Sequence, residues 1–386
     1  MENLKKKISE CFIDNLSKEH YVGVEIEMPI VNKNCPYIVE REVINKLFEY
    51  LISNDFIPIA FDNDGNCISV RNIDTEDVIA LEYSLNTLEF SLEREKNIFS
   101  LEEKFINYYN ICNNYLKKYQ YVIKDVGINP NIHDIDRKCL NVDRYKAVEK
   151  ILKREDVELF GEFCSYCCSI QTHINVSKET VLGVCNAFTE IEDLKKMLFS
   201  NSYMEETGLK DSRNYLWKTS NFGPENTGGN PHYNTLDDLI EDYMEKTLYY
   251  VKRDGKFVVL KHNQRLVDYY NQQEVEAVND NGEEILIVPE DDDFDYFRSY
   301  RSAELTRFGT IEIRTDCTQR IERLFPLVAF NVGIAVNADL VYEYVHQGKA
   351  DMKGLIDLAI DGLKQRGYGE EGYWSEINEK NWFMDV

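Results

Sequence analysis

Long apolar runs are missing from this chain of 386 residues: nothing approaches the about 18 consecutive apolar residues that a membrane span needs. The opening MENLKKKISECFIDNLSKEH carries lysines but lacks the apolar centre of a secretory signal. Basic charge is short as well, with 44 Lys and Arg against 69 Asp and Glu and a net charge of −25. That deficit argues against a nucleic-acid backbone or an anionic membrane surface as partner. A phosphate-bearing ligand carried with a cation stays compatible, because a metal bridges two negative groups. No internal repeat, low-complexity tract or Pro- or Ser-rich linker occurs. Nor does G-x-x-x-x-G-K-[ST], G-x-G-x-x-G or G-x-S-x-G, so P-loop, dinucleotide-binding and nucleophile-elbow readings have no support.

Ten cysteines are present, scattered rather than set in the dense framework of a secreted scaffold. Cys164, Cys167, Cys168 and His173 offer a zinc reading, but no second C-x-x-C pair follows. If 165–176 is a strand, Cys167 and Cys168 point to opposite sides, and the default is a set of small buried hydrophobes. The expectation is a soluble, reduced, cytoplasmic protein.

Hydrophobic residues make up 43% of the chain and aromatics 12%, enough for a sizeable core. Apolar periodicity predicts helices over 3–18, 40–53, 98–119, 141–154, 178–199, 235–246, 318–346 and 351–365. Three hairpins are expected at Asp64-Gly65, Asp254-Gly255 and Asn281-Gly282. The class is therefore α+β with a mainly antiparallel sheet, read as one large domain over 1–386. The acidic run 290–293 is expected to be a solvated loop. The C-terminal GEEGYWSEINEKNWFMDV, with two tryptophans, is expected to pack on the core.

Four strand-like stretches share one peculiarity. In YVGVEIEMPIV, residues Val22, Val24, Ile26 and Met28 fall on one face and Glu25 and Glu27 on the other. LNTLEFSLE sets Leu88, Phe90 and Leu92 against Glu89 and Glu93. CCSIQTHINV sets Ile170, Ile174 and Val176 against Gln171, His173 and Asn175. FGTIEIRTD sets Ile311 and Ile313 against Glu312, Arg314 and Asp316. Each alone reads as a half-wet antiparallel strand. Together they favour carboxylates and an imidazole over the good strand formers a wet face would use. Oxygen-rich sets that leave room for phosphate suit magnesium or manganese. Arg213 and Lys218, in a Gly- and Asn-rich stretch, and Arg301, Arg307 and Arg314 are counterparts for phosphate or carboxylate. The stretch 219–230 is a candidate covering loop.

At these residues the chain resembles the glutamate–cysteine ligases of the plant and bacterial second type, a branch of the glutamine-synthetase-like carboxylate–amine ligases. GVEIE resembles the family's G-x-E-x-E strand, and ALEYSLNTLEFS its second acidic strand, with Glu82 and Glu89 as a recurring pair. SIQTHINVS is similar to its Q-x-H strand, FSNSYMEETGLKDSRNYLW to its A-N-S…R-S…W segment, and RFGTIEIRTDCTQ to its last motif strand. LYYVKRDGKFV and LVDYY resemble its R-D-G hairpin and the helix after it. The matches run in order over about 21–330. Where the family has Gly-Gly-Gln before the second acidic glutamate, this chain reads Leu85-Asn86-Thr87-Leu88-Glu89.

The resemblance implies a curved antiparallel funnel with helices outside, and ATP with magnesium, for which manganese is a substitute by donor chemistry. The expected partners are small-molecule amino acids and ATP, and the choice between monomer and homodimer stays open. By carry-over, Glu25, Glu27, Glu89, His173 and Glu312 are metal-ligand candidates. Gln171, Asn175, Asn201, Trp217 and Arg307 would bind nucleotide or substrate, with Arg314 and Arg213 stabilising a transferring phosphoryl group. The implied reaction joins the γ-carboxylate of glutamate to the amine of cysteine through an acyl phosphate. Another acid or amine, or an ATP- or amino-acid-sensing relative without turnover, is the alternative.

Overall fold

The computed structural model describes residues 2–153, 158–223, 226–348 and 350–366, so the expectation for the C-terminal segment lies outside the described residues. Strands Val22–Asn32 (β1), Phe56–Phe61 (β2), Cys67–Asn72 (β3), Val78–Leu81 (β4), Thr87–Glu95 (β5), Tyr121–Ile123 (β6) and Ile170–Asn175 (β7) belong to one sheet. Thr227–Gly228 (β8) stands apart from it. Thr247–Arg253 (β9), Lys256–Arg265 (β10), Val275–Val278 (β11) and Glu284–Ile287 (β12) make a four-stranded sheet. Tyr300–Arg301 (β13) pairs in parallel with β8, while Ala303–Leu305 (β14) and Thr310–Ile313 (β15) return to the large sheet. That sheet runs β14-β15-β7-β1-β5-β4-β3-β2, with β6 on β1, and every pairing in it is antiparallel. The α+β class is as expected. The four strands with ligand-type faces are consecutive neighbours, β15-β7-β1-β5.

The helices are Glu2–Phe12 (α1), Arg41–Ile52 (α2), Ile98–Lys117 (α3), Asp143–Leu152 (α4), Glu158–Gly161 (α5), Val181–Glu190 (α6) and Glu192–Phe199 (α7). Ser212–Lys218 (α8), Leu236–Met244 (α9), Leu266–Tyr269 (α10), Ile321–Val336 (α11), Ala338–His346 (α12) and Met352–Gln365 (α13) follow. Five predicted helices appear as α2, α3, α4, α9 and α13 within a few residues. Three differ. The first stops at Phe12 and continues as a short tighter turn, Ile13–Asn15. The 178–199 stretch is two helices, because Glu192 is drawn to the Ser302 hydroxyl and to Lys218. The 318–346 stretch breaks with a bend of 84° at Asn337, whose amide donates to the Leu358 carbonyl and accepts from Gln365 on α13. No single helix among the described residues is long and apolar enough to cross a membrane.

All three hairpins form where expected. Asp254 and Gly255 both adopt positive φ, 50° and 83°, as a tight turn between twisted strands requires. The β14–β15 turn uses Gly309 at φ +70°, and a Cβ there would lie 2.1 Å from the Asn15 carbonyl oxygen. Only glycine fits both conditions.

The apolar side of β1, with Val22, Val24, Ile26 and Met28 at 0–1% exposure, meets α3, while α11 packs on β7 and α6 on β14 and β15, in a core that runs from Leu4 to Leu363. One loop expectation is corrected in part. Residues 291–296 form a short helix in which Asp293 is buried, accepting from Arg253 at 2.6 Å and from the Tyr269 hydroxyl at 2.6 Å, while Glu290, Asp291 and Asp292 are exposed as expected. At the described ends of the covering-loop candidate, Phe222 and Asn226 are buried and Thr227–Gly228 pair with Tyr300–Arg301.

Candidate functional site

Antiparallel register decides which polar residues meet. Glu27 stands opposite Glu89, Glu25 opposite both Ser91 and Gln171, His173 opposite both Gly23 and Glu312, and Asn175 opposite Thr310. The side of the sheet away from the helical core therefore carries a continuous field of carboxylates, amides and one imidazole.

Glu25, His173 and Glu312 each offer a donor atom, all within 4.8 Å of one another. Donors on opposite sides of a magnesium ion at about 2.1 Å lie roughly 4.2 Å apart, so this spacing suits one small ion after slight closure. His173 Nε2 lies 3.4 Å from Glu25 Oε1. It is buried and makes no hydrogen bond among the described residues, and the same holds for Gln171 Oε1 and Asn175 Oδ1. Orphaned polar atoms are costly in a protein interior, and three on one face mark a place built for a ligand. Among the described residues no other group of three His, Cys, Asp or Glu donors is so close, which leaves the Cys164–Cys167–Cys168 zinc reading without a site. Burial pushes those three thiols up, away from the thiolate that zinc requires.

Glu27 Oε2 accepts from the Ser169 amide at 2.7 Å and the Ser169 hydroxyl at 2.8 Å, and Gln171 Nε2 approaches Oε1 at 3.4 Å. Burial pushes its carboxyl up to about 7; Arg213 opposes and Glu82 reinforces that rise. Glu89, which accepts from the Ser91 hydroxyl, is pushed far above the carboxylate range by burial and then by Glu25, Glu82 and Glu27. Glu25 ends low: burial raises it, but His173 and Arg314 outweigh that. Burial would lower the His173 imidazole, yet Glu25 and Glu312 hold it above its ordinary value against Arg314. These are the signs of negative charge crowded until a cation compensates it.

Arg314 follows directly on β15. Its guanidinium meets the Glu312 carboxylate and lies 5.7 Å over the Tyr300 ring. Burial would lower it, but Glu312 and Glu304 lead the charges that hold it firmly cationic. Arg213 on α8 donates to the Arg314 carbonyl at 3.0 Å. Trp217, one turn further on, lies 5.9 Å from that guanidinium and stacks on Tyr300 at 4.5 Å. Arg213, Trp217, Tyr300 and Arg314 line a hollow of only about 20 Å³. A second hollow of about 190 Å³ opens beside Glu304 and Glu312.

The structure thus gathers Glu25, Glu27, Glu89, Gln171, His173, Asn175, Glu312, Arg314, Arg213 and Trp217. One candidate stands elsewhere. Asn201 donates to the backbone carbonyls of Asp125 and Thr318, both at 2.9 Å, and lines a separate cavity. Arg307, at the β14–β15 turn, is tied to Asp295 at 2.7 Å and lies over the Phe294 ring, and it lines the second hollow together with Glu304 and Glu312. Lys218 pairs with Glu192 at 3.0 Å and Arg301 with Asp242 at 3.4 Å. Asp316 is corrected. It lies beyond the end of β15, turns to the helical side, and binds Lys195 at 2.9 Å and Asn331 at 2.9 Å.

Residue patterns missed several members of the site. Arg144 on α4 faces Glu82, which also accepts from Tyr145 at 3.0 Å. Glu304 stands opposite Glu312 and is held by the buried Lys246 at 3.1 Å. The Glu82–Glu89 pairing was a signal for the first; nothing in the sequence places α4 or Lys246 against these strands.

No protein-family model matches the chain, and no curated protein matches it. Among solved structures, a bifunctional glutathione synthetase from Pasteurella multocida pairs with 98% of this chain and 48% of its own, at TM-score 0.47 and 9% identity. The chain thus spans about half the length of that protein. A glutamate–cysteine ligase from Francisella tularensis in complex with AMP pairs over 95% and 93%, at TM-score 0.36 and 11% identity. A novel glutamine synthase homolog pairs over 98% and 67%, at TM-score 0.34 and 10% identity. Likeness at this level fixes neither activity nor substrate.

Proposed function

We propose that residues 1–386 act as one ATP-dependent carboxylate–amine ligase, activating the γ-carboxylate of glutamate and joining it to the amine of cysteine. One observation carries the reading. Glu25, His173 and Glu312 converge within 4.8 Å on a face that also holds Glu27, Glu89 and two arginines. A cation-gathering set beside guanidinium groups suits phosphoryl transfer, which needs positioning and charge neutralisation rather than a protein nucleophile.

The donor set fits a divalent metal: two carboxylates, an imidazole nitrogen without a hydrogen bond, and burial followed by like-charge crowding that lifts Glu89. Magnesium or manganese bound there would neutralise phosphate charge. Glu25, His173 and Glu312 would hold it, with Glu27 and Glu89 on the same face. Arg314, braced by Arg213 through its carbonyl, steadies the phosphoryl group as charge shifts from ATP to the substrate carboxylate. Trp217 and Tyr300 screen the resulting acyl phosphate from water until the amine attacks, giving an amide, ADP and phosphate.

The test is phosphate release from ATP with magnesium, glutamate and a panel of amines, with products identified by mass. Release that requires glutamate and cysteine, with a dipeptide product, is the expected result. Release with another acid or amine keeps the class and replaces the substrates. No release from any combination, with ATP still bound, points to the sensing alternative and rejects the ligase reading.

A further inference from the structure

A cavity of about 1220 Å³ lies away from the acidic face, between the 124–133 segment, the end of α7 and the loop after it, residues 319–323 at the start of α11, and the start of α13. It shares no lining residue with the Glu25–His173–Glu312 set or with the hollow beside Arg213. Its floor is apolar: Ile128, Ile132, Leu198 and Met204 are buried. Met197 and Tyr203 stand at the mouth with 56% and 63% of their surface exposed.

Lys124, Lys210, Arg320 and Arg323 also line this cavity. In a chain of net charge −25, a cation has many carboxylates to meet, and Lys195, Lys246 and Arg253 are each paired with one. The four cavity cations are different: none of their side chains has an ion pair, hydrogen bond or ring contact among the described residues. The lining holds two acids, Glu205 and Glu206, and Glu206 meets His133, an ion pair only when the imidazole is protonated. The neighbouring Asp125 accepts the amide of Ile321 at 3.4 Å. Four cations against two acids around an apolar basin make this cavity locally positive in a chain of net charge −25.

We infer that this cavity binds a small organic polyanion. Its phosphate or carboxylate groups meet Lys124, Lys210, Arg320 and Arg323, and an apolar or aromatic body lies against Ile128, Ile132 and Met197. Guanidinium forks suit either oxyanion. The volume admits a body the size of a nucleotide or smaller cofactor, and the net charge disfavours a nucleic acid.

Calorimetric titration of the full chain, stripped of divalent metals on a chelating resin and free of any soluble chelator, tests this, with inorganic pyrophosphate, citrate and ADP as separate probes. Without divalent cations the carboxylates of the acidic face disfavour all three. The expected result is saturable binding of at least one probe, weakened about tenfold or more by the pair Arg320→Ala and Arg323→Ala. Lys210→Ala, at an exposed position, should also weaken binding, which keeps the test valid if the double variant misfolds. Glu27→Gln should leave the titration unchanged. Pyrophosphate bound in preference to citrate supports a phosphate ligand and the reverse a carboxylate ligand; ADP tighter than pyrophosphate supports use of the apolar floor. Failure of all three to saturate, or binding that ignores the arginine and lysine changes but responds to Glu27→Gln, overturns the inference.

Discussion

Glu27 shows what a single buried carboxyl is asked to do. Burial pushes its carboxyl up to about 7 when no cation is bound beside it, and glutamine keeps the size and closely copies the protonated form. Glu27→Gln should therefore fold normally, judged by circular dichroism and thermal melting, yet lose about 100-fold or more of ATP-dependent phosphate release. Loss of folding instead would assign Glu27 a structural role. Glu312→Gln should show the same pattern; full activity in that variant would remove β15 from the metal set. At this scale the sequence was informative wherever a side chain's face follows from strand alternation. It was silent where placement depends on another element, as with Arg144, Glu304 and Lys246. It misled at Asp316, because alternation was carried past Ile313, where the strand ends.

Helices behind the sheet show a second kind of dependence. Gly333 on α11 and Gly362 on α13 touch backbone to backbone: a Cβ on Gly333 would fall 2.0 Å from the Ala359 carbonyl oxygen. Gly333→Ala gains about 1 kcal/mol of helix propensity. The clash with a neighbouring backbone cannot be relieved by a rotamer change, and overpacking costs roughly 1–3 kcal/mol. A lower Tm is expected, and an unchanged or raised Tm would show that α11 and α13 are not in contact as described. Glu192, at the start of α7, gives a pH-dependent counterpart. Burial would raise its carboxyl, but Lys196, Ser302 and Lys218 bring it down to about 2. A depressed carboxyl contributes stability above its unfolded value near 4.5, and that contribution fades as pH falls toward 2. Glu192→Gln should cost up to about 3 kcal/mol at pH 7 and flatten the acid limb of the stability curve between those pH values. Identical acid limbs in the two proteins would contradict the pairing. Helix periodicity located α6–α7 and α11–α12 but not their breaks, since Glu192 and Asn337 are pulled by partners far away in sequence.

On the scale of the whole molecule, the acidic face exists only because topology brings residues 25, 89, 173 and 312 onto four adjacent strands. Each strand's pattern could be read alone; their adjacency could not, because antiparallel order is set by long connections and helix packing rather than by local residue choice. The charge distribution follows the same division, with carboxylates concentrated on one face and uncompensated cations around a separate cavity. A manganese titration followed by electron paramagnetic resonance tests most directly whether the assembled strands form a cation site. The wild-type chain should bind the ion saturably, and His173→Ala and Glu312→Gln should each weaken binding about 10–100-fold while retaining the native melting transition. Binding of equal strength in all three proteins, or no binding to the wild type even with ATP present, would contradict a metal centre at Glu25, His173 and Glu312.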